Sequence, residues 1–191
     1  MKTSELVNVS KLMNDLFLEM IGADQAQQSL SVIQRAEVTP DFRIVVFGQQ
    51  ERRLDPSTDL NGASRRALTI AFILALTKVS DVEAPNVIDT PLGMMAGFVK
   101  RAVLRTAATN SSQLILFLTQ DEINGCEDIL EHKAGKYLTM TNPTHYPQIL
   151  VNKPDVTDTR VLTCKCKWDQ HCRLCERRKD AKSKQKMTTH A

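Results

Sequence analysis

The residues best suited to chemistry in this sequence form two groups, and the first ends in an aspartate. A short apolar run, Asn86 to Ile88, follows Pro85 and is closed by Asp89 and Thr90. Such a run predicts a buried strand, and open α/β sheets place ligand chemistry at the carboxyl ends of their strands.

A tight turn and a helix come before this strand. Asn61 and Gly62 are residue types common in turns and at helix N-caps, so the helix is expected to begin near Ala63. Its apolar residues cover nearly every side, which is typical of a helix buried within a domain. They are Ala67, Leu68, Ala71, Phe72, Leu74, Ala75 and Leu76.

The second group is a cluster of thiols and one imidazole. It consists of Cys164, Cys166, His171, Cys172 and Cys175. These side chains can supply the four ligands of a tetrahedral Zn²⁺ site. The Cys172-x2-Cys175 pair has good chelating spacing, whereas Cys164-x-Cys166 is tighter than usual, so that His171 could replace one thiol. The alternative is a set of reduced cysteines without a metal.

The first group resembles the motifs of a known family. Leu60-Asn61-Gly62-Ala63-Ser64-Arg65-Arg66 resembles a degenerate ABC signature, Leu-Ser-Gly-Gly-Glu/Gln, and the stretch from Val87 to Gly93 resembles the Walker B segment that follows it. The resemblance is to structural-maintenance-of-chromosomes (SMC) and RecN-like ATPases, and to DNA-sulfur-modification ATPases whose Walker B reads Ile-Asp-Thr-Pro-Leu-Gly. It covers roughly residues 5–125 in order and spacing.

The resemblance implies roles for individual residues. Asp89 matches the Walker B aspartate that holds Mg²⁺, directly or through water, and Thr90 takes the place of the usual catalytic Glu. Gln120 takes the place of the switch His, or is simply a polar residue at the end of a strand. Thr90 cannot accept a proton at neutral pH, so hydrolysis would be slow or another group would position the water. The signature residues would contact ATP bound to a second head, through a helix N-terminus. They are Leu60, Asn61, Gly62, Ala63 and Ser64.

A phosphate-binding loop is missing from these 191 residues. The sequence has seven glycines, and none lies in a G-x-x-x-x-G-K-[ST] pattern. The resemblance therefore implies the C-terminal lobe of an ABC ATPase head, with α/β fold, whose partner is an N-terminal P-loop lobe or a second head. Such a lobe is an ATPase only in combination, and the heads are expected to form a dimer.

The remaining elements are read from hydrophobic periodicity. Residues 1–22 predict a helix, which in this family could be the end of a coiled coil. Residues 31–38 and 42–48 predict a β-hairpin around Thr39-Pro40-Asp41. Met94 to Ala108 predicts a helix with Met95, Phe98, Val99, Ala102 and Val103 on one face.

The last strands are predicted from short apolar runs. Leu114 to Thr119 reads as a strand buried on both faces of a parallel sheet, which completes a βαβ unit with Val87–Thr90. Lys136–Thr141 and Gln148–Val151 are candidates for a further strand pair.

The organisation that we expect has four parts. Residues 1–22 are the helix, 23–155 the ABC-like C-terminal lobe, 160–178 a zinc knuckle and 179–191 a basic disordered tail. The fold class is α/β, the C-terminal half of an ABC ATPase (P-loop NTPase-like) head, with an N-terminal helix, a β-hairpin and a small Cys/His tail.

Composition limits the function classes. Hydrophobic residues make up 42% of the chain, which is enough for a core, and the longest apolar run, Ile70 to Leu76, is too short for a membrane span. The N-terminus lacks the apolar segment of a signal peptide, so a cytoplasmic location is expected. Residues 164–191 carry nine Lys/Arg and three Asp/Glu, whereas the rest of the chain is mildly acidic. This basic segment could contact DNA, but the simpler interpretation is a solvated chain end.

Two functional hypotheses follow. The first is the signature and Walker B lobe of an SMC/RecN-like ATPase acting in DNA repair, maintenance or defence against foreign DNA. The second is a non-catalytic scaffold that dimerises through the ABC-like lobe and contacts DNA or protein through the zinc knuckle. An unrelated α/β domain with chance motifs is a third reading.

Overall fold

The computed structural model describes residues 3–22, 32–81, 83–136, 138–141 and 162–164. The chain forms two compact units, residues 1–133 and residues 134–191, which are treated separately. The first unit contains α1 (Thr3–Ile21), β1 (Ile33–Val38), β2 (Ile44–Gly48), a 3-10 turn (Gln49–Glu51), β3 (Arg53–Leu54), α2 (Gly62–Val79), β4 (Asn86–Asp89), α3 (Gly97–Asn110), β5 (Leu114–Phe117), α4 (Gln120–Ile123) and α5 (Glu127–Lys133). The described strands of the second unit are β6 (Thr139–Thr141) and β7 (Leu162–Cys164).

Helix α1 forms over the first apolar stretch, as the periodicity predicts. It ends at Gly22, whose φ of 73° is a left-handed conformation that glycine adopts without steric penalty. One face of α1 packs against α2, β1 and α3. Its fully buried residues are Val9, Met13, Phe17 and Met20.

Two polar side chains of α1 bond to the outer edge of β1. Oγ of Ser10 accepts a hydrogen bond from the backbone N–H of Val38, and Oδ1 of Asn14 accepts one from Ala36, both at 2.9 Å. β1 lies at the edge of the sheet β1-β2-β3. Because these bonds occupy edge donors, α1 protects β1 from pairing with another strand.

The predicted β-hairpin is present, and it is extended by a third strand. β1 and β2 pair antiparallel, and Phe42, with φ of 59°, ends the short connection between them. β3 pairs with β2 in the same sense. This strand was not predicted, because two residues within the charged stretch 49–58 are too few to show a period.

Helix α2 is the central helix of the first unit. Its N-cap is Asn61, one residue from the predicted boundary, and Oδ1 of Asn61 accepts from the N–H of Ser64 at 2.8 Å. The burial predicted on nearly every side was wrong, because the buried residues lie on one side of the helix and Thr69 and Ile73 on the opposite side are exposed. The buried residues are Ala67, Leu68, Ile70, Ala71, Leu74 and Ala75. No helix in the described ranges is long and apolar enough to span a membrane.

The predicted βαβ unit is also present. β4 and β5 pair parallel, with Val87 opposite Ile115 and Asp89 opposite Phe117, and α3 connects them. Helix α3 begins at Gly97 rather than at Met94, because Met94 lies in the preceding turn with φ of 65°. The prediction that Phe98 belongs to the apolar face was wrong, because its side chain is 66% exposed.

The burial expected for these two strands was wrong: Ile88, Leu114 and Leu116 on one face are only half-buried, and the opposite face is exposed. Val87 is 58% exposed, Ile115 39% and Phe117 42%, and Asp89 is exposed as well. Alternate residues of a strand point to the same face, and the register places these four side chains side by side. We call this set, Val87, Asp89, Ile115 and Phe117, the open sheet face.

The described strands of the second unit form an antiparallel pair. Thr139 pairs with Cys164 and Thr141 with Leu162. The partner predicted for the strand at Lys136–Thr141 was Gln148–Val151, which lies outside the described residues. The structure places β7 beside β6, and the pairing with Gln148–Val151 stays a prediction.

Arg101 and Asp128 join α3 to α5 by a bidentate ion pair. Nη1 and Nη2 of Arg101 lie 2.6 and 2.7 Å from Oδ1 and Oδ2 of Asp128. Hydrogen bonding from Arg101 lowers the pKa of Asp128 to about 2, against about 3.9 in an unfolded chain. The stabilisation is therefore present above pH 4 and is lost as the pH falls towards 2.

An acid titration tests this ion pair. Between pH 5 and pH 2, the unfolding midpoint of Asp128→Asn should fall less than that of the wild-type chain, because the variant has no carboxylate to protonate there. Urea unfolding followed by circular dichroism at each pH measures the slope. The same slope in both proteins would contradict the role given to Asp128.

Candidate functional site

The carboxyl ends of β4 and β5 bring three of the sequence-predicted site residues, Asp89, Thr90 and Gln120, to the same edge. β4 ends at Asp89 and is followed by Thr90, and β5 is followed by Thr119 and Gln120. Because the strands are parallel, their ends lie at one side of the sheet. This is the edge where α/β sheets bind ligands.

Asp89 presents a carboxylate that the described part of the chain leaves uncommitted. Its side chain is exposed and belongs to the open sheet face. Its carboxylate forms no ion pair with any residue that the structure describes. Asp89 is therefore available to a cation, as a Mg²⁺ ligand must be.

Thr90 holds an unusual backbone conformation. Its φ is 47°, a left-handed value that is rare for a β-branched residue and carries about 1–3 kcal/mol of strain. Two bonds hold it: its N–H donates to the carbonyl O of Phe117 at 2.9 Å, and its carbonyl O accepts from Nη1 of Arg66 at 2.5 Å. The strain lies at the position that the motif assigns to catalysis.

The signature-like residues form the start of α2. Leu60 is buried, and Asn61 uses Oδ1 for the cap, which leaves its Nδ2 group as a donor. A Cβ atom added to Gly62 would meet only the side chain of Met94, at 3.8 Å. Ala63 and Ser64 follow in the first turn and are half-buried.

The structure brings the signature-like and Walker B-like segments into contact. Met94, which is 84% exposed, reaches Gly62 from the turn after β4. Arg66, in the second turn of α2, reaches the carbonyl of Thr90. Gly93 permits this approach, since a Cβ there would lie 2.9 Å from Nη1 of Arg66. Two motifs about 24 residues apart are thus joined by a direct hydrogen bond.

A cleft of about 420 Å³ lies beside these segments. It is lined by Arg66, Thr90, Leu92, Gly93, Met94, Met95, Lys100, Thr119, Asp121 and Glu122. Of the predicted site residues only Thr90 contributes to this lining, whereas Asp89, Gln120 and the signature-like residues lie outside it. Gln120 is exposed, and its Nε2 donates to Oδ1 of Asn124 at 3.4 Å.

Two cations in this cleft were missed by sequence analysis. Arg66 forms no ion pair with any described carboxylate, and it donates to a carbonyl instead. Nζ of Lys100 donates to the carbonyl oxygens of Asp121 and Asn124, at 2.8 and 3.3 Å. Arg66 ends the signature-like stretch, but the resemblance gives it no role, and Lys100 belongs to no motif, so only the tertiary structure places these two residues at the site.

Glu122 is a third residue that sequence analysis missed. It is only 3% exposed and completes a capping box with Thr119 at the start of α4. The pattern Thr-x-x-Glu at residues 119–122 is a recognised signal for such a box. That pattern could have identified Glu122 before the structure, although not its contact with Leu92.

The predicted zinc ligands are not described by the structure. Cys166, His171, Cys172 and Cys175 lie outside the described residues, and only the backbone of Cys164 is placed, in β7. Within the described ranges, no group of three or more His, Cys, Asp or Glu could hold a metal ion. Cys126 is fully buried, and burial raises the pKa of its thiol, so it is an unreactive core residue.

Comparison with known proteins gives a structural likeness. No family model matches the sequence, and no curated protein matches it. A solved structure described as "Structural biochemistry of ATP-driven dimerization and DNA stimulated activation of SMC ATPases" is similar with a TM-score of 0.55 and 11% identity, over 90% of this chain and 91% of that chain. The SMC head domain from Thermotoga maritima gives a TM-score of 0.45 and 15% identity, over 86% of this chain and 51% of that chain. The likeness to the first structure shows that this chain has an SMC ATPase-like α/β fold.

Proposed function

We propose that this chain is the signature and Walker B lobe of an SMC-like ATPase head, which hydrolyses ATP only when a P-loop lobe completes it. The observation that carries this proposal is the open sheet face. Parallel sheets in α/β proteins are covered on both faces, because the connections between their strands place helices there. The exposed Val87, Ile115 and Phe117 are therefore what a sheet shows when one of its covering layers is absent.

A P-loop lobe is the occupant that the chemistry favours. Asp89 belongs to the same face as Val87, so a lobe packed there would bring its own bound phosphates towards this carboxylate. A P-loop supplies backbone N–H groups and a Lys for the phosphates, and these are the parts that the 191 residues lack. The lobe could belong to another chain or to another part of the same protein.

The proposed roles divide the work between the two lobes. Asp89 would hold Mg²⁺, which neutralises charge developing on the transferred phosphoryl group. Gln120 would donate a hydrogen bond to the γ-phosphate, and Thr90 would orient the water without accepting its proton. Asn61 and Gly62 would present the positive N-terminus of α2 to ATP held by a second head.

The similar solved structure supports two further parts of the proposal, dimerisation of heads and action on DNA. That work concerns ATP-driven dimerization and DNA-stimulated activation of SMC ATPases. We propose that this chain also takes part in a dimer of heads and acts on DNA, in repair, maintenance or defence against foreign DNA.

One observation favours a second candidate function. Neither Thr90 nor Gln120 can act as a general base, which favours a non-catalytic scaffold that dimerises through the same surfaces. The scaffold would associate with a P-loop lobe without Asp89-dependent turnover. The rate of ATP hydrolysis in the assembled head therefore separates the two candidates.

We also propose that the cluster of Cys164, Cys166, His171, Cys172 and Cys175 binds about one Zn²⁺ per chain. Elemental analysis of the protein purified without added metal should show the zinc, and Cys172→Ser should lower its content. Because metal binding supplies ordering energy, chelation should change the local structure of this segment and leave the unfolding of residues 1–133 unaltered. Metal-free wild-type protein would contradict the site.

An association experiment tests the proposed function. The partner is a P-loop lobe from the same organism, defined as a segment with a G-x-x-x-x-G-K-[ST] loop after a strand and no Walker B strand of its own. Sedimentation velocity should show a complex of one chain with one lobe. Failure of every such lobe to bind, or a self-association that already buries Val87, would overturn the proposal.

A further inference from the structure

Glu122 connects two loops that are distant in sequence. Its Oε1 accepts a hydrogen bond from the N–H of Leu92 at 2.7 Å, across 30 residues. Its Oε2 accepts from both the N–H and the hydroxyl of Thr119, each at 3.0 Å. Both carboxylate oxygens are thus engaged, in a side chain that is only 3% exposed.

An ordinary capping box explains only half of this arrangement. In such a box the Glu accepts from the N-cap N–H, as Glu122 does from Thr119. The bond to Leu92 lies outside the helix and is buried, so its loss would leave a backbone N–H without a partner. Hydrogen bonds to a charged carboxylate are stronger than those between neutral groups. A single carboxylate that bonds to both loops therefore restricts their relative position.

The two loops that Glu122 joins lie next to residues of the predicted site. Leu92 lies two residues after Thr90, and Thr119 comes immediately before Gln120. We propose that Glu122 is a positioning residue that fixes the end of β4 to the start of α4, so that Thr90 and Gln120 keep one relative arrangement. The catalytic importance of Thr90 and Gln120 rests on the proposed function, whereas the hydrogen bond from Leu92 to Glu122 does not depend on it.

The first arm of the test uses the chain alone and needs neither nucleotide nor partner. Amide hydrogen exchange is measured by NMR in the full chain for wild type, Glu122→Ala, Glu122→Gln and Glu83→Gln, an exposed carboxylate that serves as the matched control. Glu122→Ala should accelerate exchange at both Leu92 and Thr119 by about 10- to 100-fold. Glu122→Gln has one acceptor oxygen and should accelerate exchange at one of the two amides.

A merely stabilising role would give a different pattern. General destabilisation would also accelerate exchange in the core of α2, for example at Ala71, which is fully buried. We expect Ala71 to be unchanged in Glu122→Gln, and Glu83→Gln to leave all three amides unchanged. If Glu122→Ala fails to fold, the exchange rates of Glu122→Gln alone test the proposal. Unaltered exchange at Leu92 in a folded Glu122→Ala, or at both Leu92 and Thr119 in Glu122→Gln, would overturn the proposal.

The second arm measures catalysis in the head completed by a P-loop lobe. Glu122→Gln should lower kcat by about 10-fold or more and leave KM for ATP unchanged, because the P-loop lobe holds the nucleotide. Equal kcat in variant and wild type would overturn the positioning role and leave the proposed function standing. If the wild-type head shows no turnover, the proposed function fails, and the exchange arm alone decides whether Glu122 fixes the two loops.

Discussion

Replacing Val87 with aspartate should leave the isolated chain folded and abolish its association with a P-loop lobe. Val87 is 58% exposed at the middle of the open sheet face, so the chain itself should lose no more than about 1 kcal/mol. In the complex the new carboxylate would be buried without a partner, at a cost of about 3–5 kcal/mol. Isothermal titration calorimetry should therefore show binding weakened by about 100-fold or more.

The matched control is Val7→Asp. Val7 is a valine of similar exposure, 62%, but it lies on α1 and outside the open sheet face. This variant should bind the lobe as the wild-type chain does. Equal loss of binding in both variants would mean that the effect is one of charge or folding, and the open sheet face would no longer be the contact surface.

Replacing Gly62 with valine should abolish ATP-driven dimerisation of completed heads. Bulk at the first residue of α2 would keep the helix N-terminus from approaching a phosphate closely, and a misplacement of this size reduces engagement by about 100-fold. The fold should tolerate the change, because a Cβ at Gly62 meets only the exposed and flexible Met94, at 3.8 Å. Light scattering of heads with and without ATP measures the dimer.

Gly97→Val provides a matched control for this variant. Gly97 is likewise the first residue of a helix, α3, and no atom lies within 4 Å of the position of its Cβ. The control should dimerise with ATP like wild type. Unchanged dimerisation of Gly62→Val would reduce the signature-like sequence to a coincidence.

Local chemistry explains which parts of the fold could be predicted. The start of α2 follows from the capping oxygen of Asn61, and the end of α1 follows from the left-handed Gly22. The order strand, helix, strand was correct because each of these elements carries its own periodicity. The connection Thr39-Pro40-Asp41 was sufficient to predict the hairpin.

What sequence analysis missed depends on contacts between distant residues. The apolar β5 run predicts burial on both faces, but nothing in the run shows that Ile115 and Phe117 would be exposed. Glu122 has a local capping signal, whereas its bond to Leu92 joins residues 30 positions apart. Arg66 lies beside the signature-like residues in sequence, yet its contact with Thr90 appears only when α2 packs beside β4.

The rate of ATP hydrolysis tests the central claim most directly. Residues 1–191 alone should show no turnover above background, because they contain no phosphate-binding loop. Addition of the P-loop lobe should produce turnover, and Asp89→Ala in this chain should remove it. Turnover by the isolated chain that is lost with Asp89→Ala would contradict the account, as would turnover of the assembled head that does not depend on Asp89.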